Sequence, residues 1–306
     1  MRITVRNLII LLTAGLFTSA LAQEQRGGLL RQWVEKKRDE RRLETATQGA
    51  VSTQLDVPYL NDADRHHTLD VYIPAKKGAP LTVLIHIHGG GWEIGDKSLM
   101  KATGLFYASQ GVLFVTPNYR LSPAAQHPAH AEDCAAAVAW AFRHAAELGG
   151  DSKRIFLSGH SAGAHLAALL ATDPSYLQKF GIRPADLAGV IPVDSASYDL
   201  TSDANERLVK NFIRNSFGTA PAVLRAASPL HQLSGNKRFP RFLILNTTNR
   251  ADAAKGAQTF ADAFKRAGGE VQFVAVSNHT HSEMATGMYN PADPVGRAIL
   301  SFLSVP

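Results

Sequence analysis

Ser161 stands in the stretch "RIFLSGHSAGAHLAALLA", where an apolar run leads into Gly159-His160-Ser161-Ala162-Gly163 and then directly into an Ala/Leu-rich segment. This is G-x-S-x-G between a predicted strand and a predicted helix. At such a turn the chain reverses so tightly that the positions two residues before and after the serine leave no room for a side chain. The hydroxyl is exposed at the apex, and the free amides opening the next helix lie beside it. A serine hydroxyl is a poor nucleophile on its own, and its attack on a carbonyl creates an oxyanion. The chemistry therefore needs a base, an acid to orient that base, and donors for the developing negative charge.

Candidates for each exist. "IHIHGGGWEIGDKS" carries an apolar run (81–88) into His88-Gly89-Gly90-Gly91-Trp92. Bare glycine backbone there can aim amides at a ligand, so Gly90 and Gly91, joined by Ala162, form a candidate oxyanion hole. A phosphate-binding reading fails because no G-K-[ST] follows at P-loop spacing. Toward the C-terminus, "VSNHTHSEM" holds His279 and His281 on what reads as a loop just past a strand. They fit a solvated loop, a metal pair, or one base beside a bystander. A zinc pair would need a third ligand and an open site, so neither metal nor cofactor is expected.

"HGGGW", "NYRLSP" (118–123), "HPAHAEDCAAAVAW" and "GHSAGAH" together resemble the α/β-hydrolase superfamily. More narrowly they resemble hormone-sensitive-lipase-like carboxylesterases and their feruloyl-esterase-like and kynurenine-formamidase-like neighbours. The similarity runs from about residue 50 to the C-terminus. It implies a triad in the order serine, acid, histidine, with Gly90, Gly91 and Ala162 as oxyanion donors. In these relatives the acid lies in the loop after the strand here written "RFLILN", and Asp252 is the only carboxylate there. That loop departs from the family, because "NTTNRAD" replaces the usual glycine-containing turn. Asp194, at the end of "AGVIPV", is the competing acid; its alternative reading is a hydrogen-bonded anchor for the segment that follows. The relatives' histidine motif fits His281 better than His279, which makes His281 the expected base and His279 a supporting or solvent-facing residue.

The elements that must position these groups are legible as alternating strands and helices. "LDVPYL" and "TLDVYI" read as an antiparallel opening pair, followed by the apolar runs "LTVLIHIH", "VLFVTP", "RIFLSG", "AGVIPV", "RFLILN" and "VQFVAV". Helix-like stretches lie at 98–110, 130–147, 161–172 and 254–267. This predicts an α/β-hydrolase fold: a mostly parallel eight-stranded sheet with helices on both faces. Residues 195–238 break the rhythm and read as a small helical insertion over the C-terminal edge of the sheet, where such folds place ligands. Trp92, Tyr198, Phe212 and Phe217 either line an apolar acyl or aryl pocket or belong to the ordinary core.

The N-terminal residues have another character. Arg2 and Arg6, an apolar stretch from Leu8 to Ala20 and the small-x-small triplet Ala20-Leu21-Ala22 predict a secretory signal peptide cut after residue 22, hence an exported, periplasmic or secreted protein. Residues 23–48 mix seven basic and five acidic residues, a charged tether with a short amphipathic helix near 29–44 carrying Trp33. The catalytic domain is then 49–306. Of the formal charge of +6, the first 22 residues carry +2 and the tether +2, so only +2 remains for the domain. That balance leaves no basic stripe for a nucleic acid. Once the signal is cut, no stable membrane insertion is expected. Cys134, the only cysteine, lies on an apolar helical face and excludes an internal disulfide.

The function expected is hydrolysis of short-chain or aryl carboxylic esters, a small-molecule substrate, through an acyl-enzyme on Ser161. An arylformamidase-like amide hydrolase and a non-catalytic binding module of the same fold are the alternatives. The oligomeric state does not follow from the sequence.

Overall fold

The computed structural model describes residues 37, 38, 40–75, 80–235 and 237–305. The predicted signal peptide, Trp33 and most of the predicted tether lie outside them. The chain divides into two units between residues 46 and 47. In the first, residues 40–46 are helical. No helix among the described residues is long and apolar enough to cross a membrane.

The second unit is built on eight strands: β1 (Val51–Pro58), β2 (Thr68–Pro74), β3 (Leu81–Ile87), β4 (Val112–Pro117), β5 (Gly150–His160), β6 (Gly189–Val193), β7 (Phe242–Thr247) and β8 (Val271–Val276). Their spatial order is β1-β2-β4-β3-β5-β6-β7-β8. The first two pairings, β1 with β2 and β2 with β4, are antiparallel, and the rest are parallel.

Strand alternation explains why helices cover both faces. Successive side chains point to opposite sides of a sheet. Val83, Ile85, Ile87, Val115, Ile155 and Leu157 join a core with the helices Ala129–His144, Ala162–Thr172 and Ala251–Arg266. The intervening residues face the other way: Phe114 stacks on Tyr107 of helix Lys101–Ser109, and Phe156 meets Phe302 of helix Pro294–Ser304 edge-on. Burial on both sides is what made these strands nearly continuous apolar runs.

The insertion contains the helices Arg207–Phe217 and Pro221–Ala226 and a short 3-10 turn, Pro229–Gln232. Among the helices not anticipated are two near the C-terminus. His281–Gly287 begins at the expected base itself, and Pro294–Ser304 closes the chain. His281 is therefore the first residue of a helix, not part of a loop. Thr280 caps that helix by accepting from the Glu283 amide, while the Glu283 side chain accepts from the Thr280 amide.

Candidate active site

The elbow has the form its spacing requires. Ser161 adopts φ 57° and ψ −119°, between β5 and helix Ala162–Thr172. This left-handed backbone is unfavourable for a residue with a side chain and must be held by its surroundings. They do hold it: a Cβ on Gly159 would fall 2.3 Å from the Gly163 carbonyl, and one on Gly163 would fall 2.1 Å from the Ile87 carbonyl. The first clash is strand against helix, and the second is helix against β3. Either substitution would push Ser161 away from the strand ends.

The expected base arrives from the other end of the chain. His281 Nε2 lies 3.0 Å from Ser161 Oγ, and its Nδ1 lies 2.5 Å from Asp194 Oδ2. A carboxylate at Nδ1 demands a donor, which places the proton on Nδ1 and leaves the Nε2 lone pair facing the hydroxyl. The rest of the Asp194 carboxylate is also occupied: the Thr247 amide donates to Oδ1 at 3.0 Å, and Arg250 Nη1 donates to Oδ2 at 3.3 Å. Asp194 is fully buried, and burial pushes its pKa up. The hydrogen bond and charge of His281, the Thr247 amide and the Arg250 guanidinium outweigh that and hold it below the usual carboxylate range.

This corrects the expected acid. Asp252 lies exposed in the first turn of helix Ala251–Arg266, and among the described residues it makes no hydrogen bond or ion pair with His281. A carboxylate in a first turn complements the helix dipole, which accounts for its presence there. Sheet order explains why Asp194 serves instead. β6 is the direct neighbour of β5, His160 is paired with Val193, and the next residue, Asp194, turns out at φ 51° beside the serine. The loop after β7 delivers Arg250 to the same place.

His160, inside the elbow, is a residue that the sequence reading left without a role. Its ring lies against that of His281 with centroids 4.5 Å apart, and its Nε2 lies 3.0 Å from the His281 carbonyl. Burial, then the neighbouring His281, pushes its pKa down to about 3. A neutral ring therefore donates from Nε2 and braces both the backbone and the imidazole of His281. One ligand atom from each of His160, Asp194 and His281 lies within 4.8 Å of the others. Two of these nitrogens are engaged as donors, His281 Nδ1 to Asp194 and His160 Nε2 to the His281 carbonyl.

His279, the other half of the pair, turns elsewhere. Its Nε2 donates to Asp293 at 2.9 Å, and its Nδ1 lies 2.9 Å from the Ser277 carbonyl. Asp293 caps helix Pro294–Ser304 by accepting from the Val295 amide. The His279 carbonyl accepts from Thr247 Oγ1. His279 thus ties the histidine loop to β7 and to the last helix.

In the glycine run that packs against the elbow, Gly90 and Gly91 have φ of 123° and 62°. The Gly90 carbonyl accepts from the amides of Glu93 and Ile94, which turns it into its own loop. The amides of Gly90, Gly91 and Ala162 find no hydrogen-bond partner among the described residues, as donors awaiting an anion must. His88 braces the turn: its Nδ1–H donates to the Gly89 carbonyl at 2.8 Å and its ring stacks on Tyr119 at 4.5 Å.

The aromatic residues divide. Trp92, Tyr198 and Phe217 are 2%, 1% and 4% exposed and belong to the core, which decides between the two readings left open for them. Phe212 is half-buried, and its ring would lie 2.8 Å from a Cβ on Gly91. It is the aromatic residue that stands over the glycine run. Its helix is fastened to that run, because the Asn215 side-chain amide donates to Glu93 at 2.8 Å.

Residues 69–253, more than half of the chain, match the BD-FAE family model. The chain belongs to the BD-FAE family. Its α/β-hydrolase fold is shared with esterase B from Lactobacillus rhamnosis, at TM-score 0.71 and 21% identity over 93% of this chain and 95% of that one. The hyperthermophilic esterase of Pyrobaculum calidifontis superposes at TM-score 0.66 and 20% identity, over 90% and 95%. Among curated relatives, esterase LipQ of Mycobacterium tuberculosis is 29% identical over 82% of this chain and 62% of its own length. A probable isoprenylcysteine α-carbonyl methylesterase of Arabidopsis thaliana is 24% identical over 71% and 48%. The chain spans roughly half to three-fifths of the length of these relatives. The expected superfamily and fold are borne out.

Proposed function

We propose that this BD-FAE protein is a serine carboxylesterase that hydrolyses short-chain or aryl esters through an acyl-enzyme on Ser161, and that it is exported. The observation that carries the reading is the chain Ser161 Oγ, His281 Nε2, His281 Nδ1, Asp194 Oδ2, at 3.0 Å and 2.5 Å, with three unpartnered amides in the elbow and the adjacent glycine run. Names of relatives such as LipQ and LipC, both esterases of Mycobacterium tuberculosis, support the same class of reaction.

Ser161 Oγ attacks the ester carbonyl while its proton passes to His281 Nε2. The oxyanion rests on the Gly90, Gly91 and Ala162 amides, each contributing about 3 kcal/mol to the lowering of the barrier. The C–O bond to the alcohol breaks, and the leaving alkoxide takes the proton from Nε2. Water then gives its proton to Nε2 and attacks the acyl group, and the acid departs as Ser161 recovers its proton. Asp194 stays ionised throughout and stabilises the imidazolium. Phe212 supplies an apolar wall beside the oxyanion glycines, which favours short acyl or flat aryl groups. Export rests on the Arg2/Arg6, Leu8–Ala20 and Ala20-Leu21-Ala22 pattern.

A panel of 4-nitrophenyl esters of increasing chain length, assayed beside N-formylkynurenine and with Ser161→Ala as control, tests the reading. Hydrolysis that favours short esters, with fluorophosphonate labelling lost in the variant, is expected. Absence of both labelling and Ser161-dependent turnover overturns it.

A further inference from the structure

The loop after β7 carries a cation where relatives are expected to carry the acid. Arg250 is bound on two sides: Nη1 donates to Asp194 Oδ2 at 3.3 Å, and Nε donates to Glu206 Oε1 at 3.0 Å. Glu206 is the residue that opens the insertion helix Arg207–Phe217, and Phe212 of that helix lies over Gly91. Glu206 and Phe212 are six residues apart, about 9 Å along a helix. The insertion helix therefore reaches from the acid side of the site, where Arg250 holds its first residue, to the glycine run, where Phe212 lies.

Arg250 Nη1 also stands 3.1 Å from His281 Nδ1. Both nitrogens carry protons, so this is a contact between donors, tolerated because both converge on Oδ2. Its consequences are geometric and electrostatic. Nη1 reaches Oδ2 from beside the imidazole, so the carboxylate oxygen is fixed by two donors at once, and a fixed positive charge opposes formation of the imidazolium. The charged and titratable groups around His281 are Asp194 and Arg250 at Nδ1, the neutral His160 against its ring, and Glu206 behind Arg250. Glu283, in its own helix, is bound to the Thr280 amide.

We infer that Arg250 is a positioning residue, which aims the Asp194 carboxylate at His281 and, through Glu206, makes that aim depend on docking of the insertion helix. The inference deepens the esterase reading and rests on it for its kinetic arm. The Glu206–Arg250 pair is partly exposed and adds little to stability. Its contribution is to direction: a guanidinium's planar fork fixes the angle at which it meets two carboxylates, whereas an ammonium is a point donor on a flexible stem.

The experiment compares the parent with Arg250→Ala, Arg250→Lys and Glu206→Gln, reading kcat, KM, the pH–rate profile and the melting temperature. In addition, the titration of the His281 imidazole is followed by NMR, which needs no turnover. For Arg250→Ala, kcat is expected to fall about tenfold with KM little changed. Removing the cation favours the imidazolium, so the acid limb of the profile and the NMR titration should both move to higher pH. Arg250→Lys keeps the charge and the position of the limb but loses kcat. Glu206→Gln, changed at a half-exposed side chain, should lose about twofold to threefold in kcat with an unchanged melting temperature. A parental limb, titration and kcat in Arg250→Ala would overturn the inference, as would full kcat in Arg250→Lys. Parental behaviour of Glu206→Gln would overturn the link to the insertion. An inactive parent would sink the esterase reading alone, because the NMR titration still decides the effect of Arg250.

Discussion

The two sides of Ser161 are built differently. The elbow and glycine turn are local: Gly159 and Gly163 are two residues from the serine, and Gly89 to Gly91 come after β3 with only His88 between. Their requirement is steric, since backbone atoms come within 2.3 Å or less of any added Cβ at Gly159 and Gly163. The acid and base side is assembled from three strand ends, with Asp194 after β6, Arg250 after β7 and His281 after β8. Nothing local makes these residue types necessary where they stand. The difference teaches that a site can be half written in motifs and half in topology, and that the two halves fail differently when altered. Changes to the elbow should cost the fold as well as the chemistry, while changes to the strand-end side should cost chemistry with little loss of fold.

The largest effect separates the two acids. Asp194→Asn is expected to lower kcat by about 10³-fold to 10⁴-fold, because an amide there no longer fixes the imidazole tautomer or stabilises its charge. Asp252→Asn, at an exposed first-turn position, should stay within about twofold. Kinetics on 4-nitrophenyl acetate check both, and the opposite ranking would restore Asp252 as the acid.

Next comes stability at the elbow. Gly163→Ala places a methyl 2.1 Å from the Ile87 carbonyl and should destabilise by about 2–4 kcal/mol in urea unfolding. Gly256→Ala makes the contrast: nothing lies within 4 Å of its Cβ, in helix Ala251–Arg266, and a gain of about 0.5–1 kcal/mol is expected. Equal effects at the two positions would contradict the steric account of the elbow.

A smaller change is expected at the insertion. Phe212→Ala removes the ring from over Gly91 and should shift the preferred chain length upward, read as about a threefold to tenfold gain in kcat/KM for longer esters relative to acetate. An unchanged preference would place the substrate elsewhere.

The smallest concerns the histidine that faces away. The hydrogen bond to Asp293 is the main cause that raises the pKa of His279 above its ordinary value near 6.5. A group whose folded pKa is raised contributes stability fully below its unfolded pKa and loses it as pH rises through the folded one. His279→Gln should therefore lower stability by about 0.5 kcal/mol near pH 5.5 and by less near pH 8.5, as read by melting curves. A larger loss at the higher pH would refute the pairing.

Much of this was legible because the constraints act over a few residues. Six of the eight strands announced themselves as apolar runs, and β1 and β2 as a short opening pair. The serine and the glycine turn were legible because both depend on missing side chains. The helix starting at His281 was not anticipated, although its capping box, Thr280 with Glu283, stands in the sequence as the available signal. The acid was mistaken for a different reason. The altered "NTTNRAD" turn showed that the loop after β7 was unusual, yet a loop sequence alone does not say which carboxylate a distant ring will meet.

By itself the sequence determined the alternating architecture, the serine at its bend and the bare amides after β3, because periodicity and the absence of a Cβ act within a few residues. Only the tertiary structure decided that Asp194 meets His281, that Arg250 stands between that acid and the insertion, and that Trp92 is core while Phe212 stands over the glycines. Those outcomes depend on strand order and on which residues lie side by side at the strand ends, and no short stretch of chain encodes that adjacency.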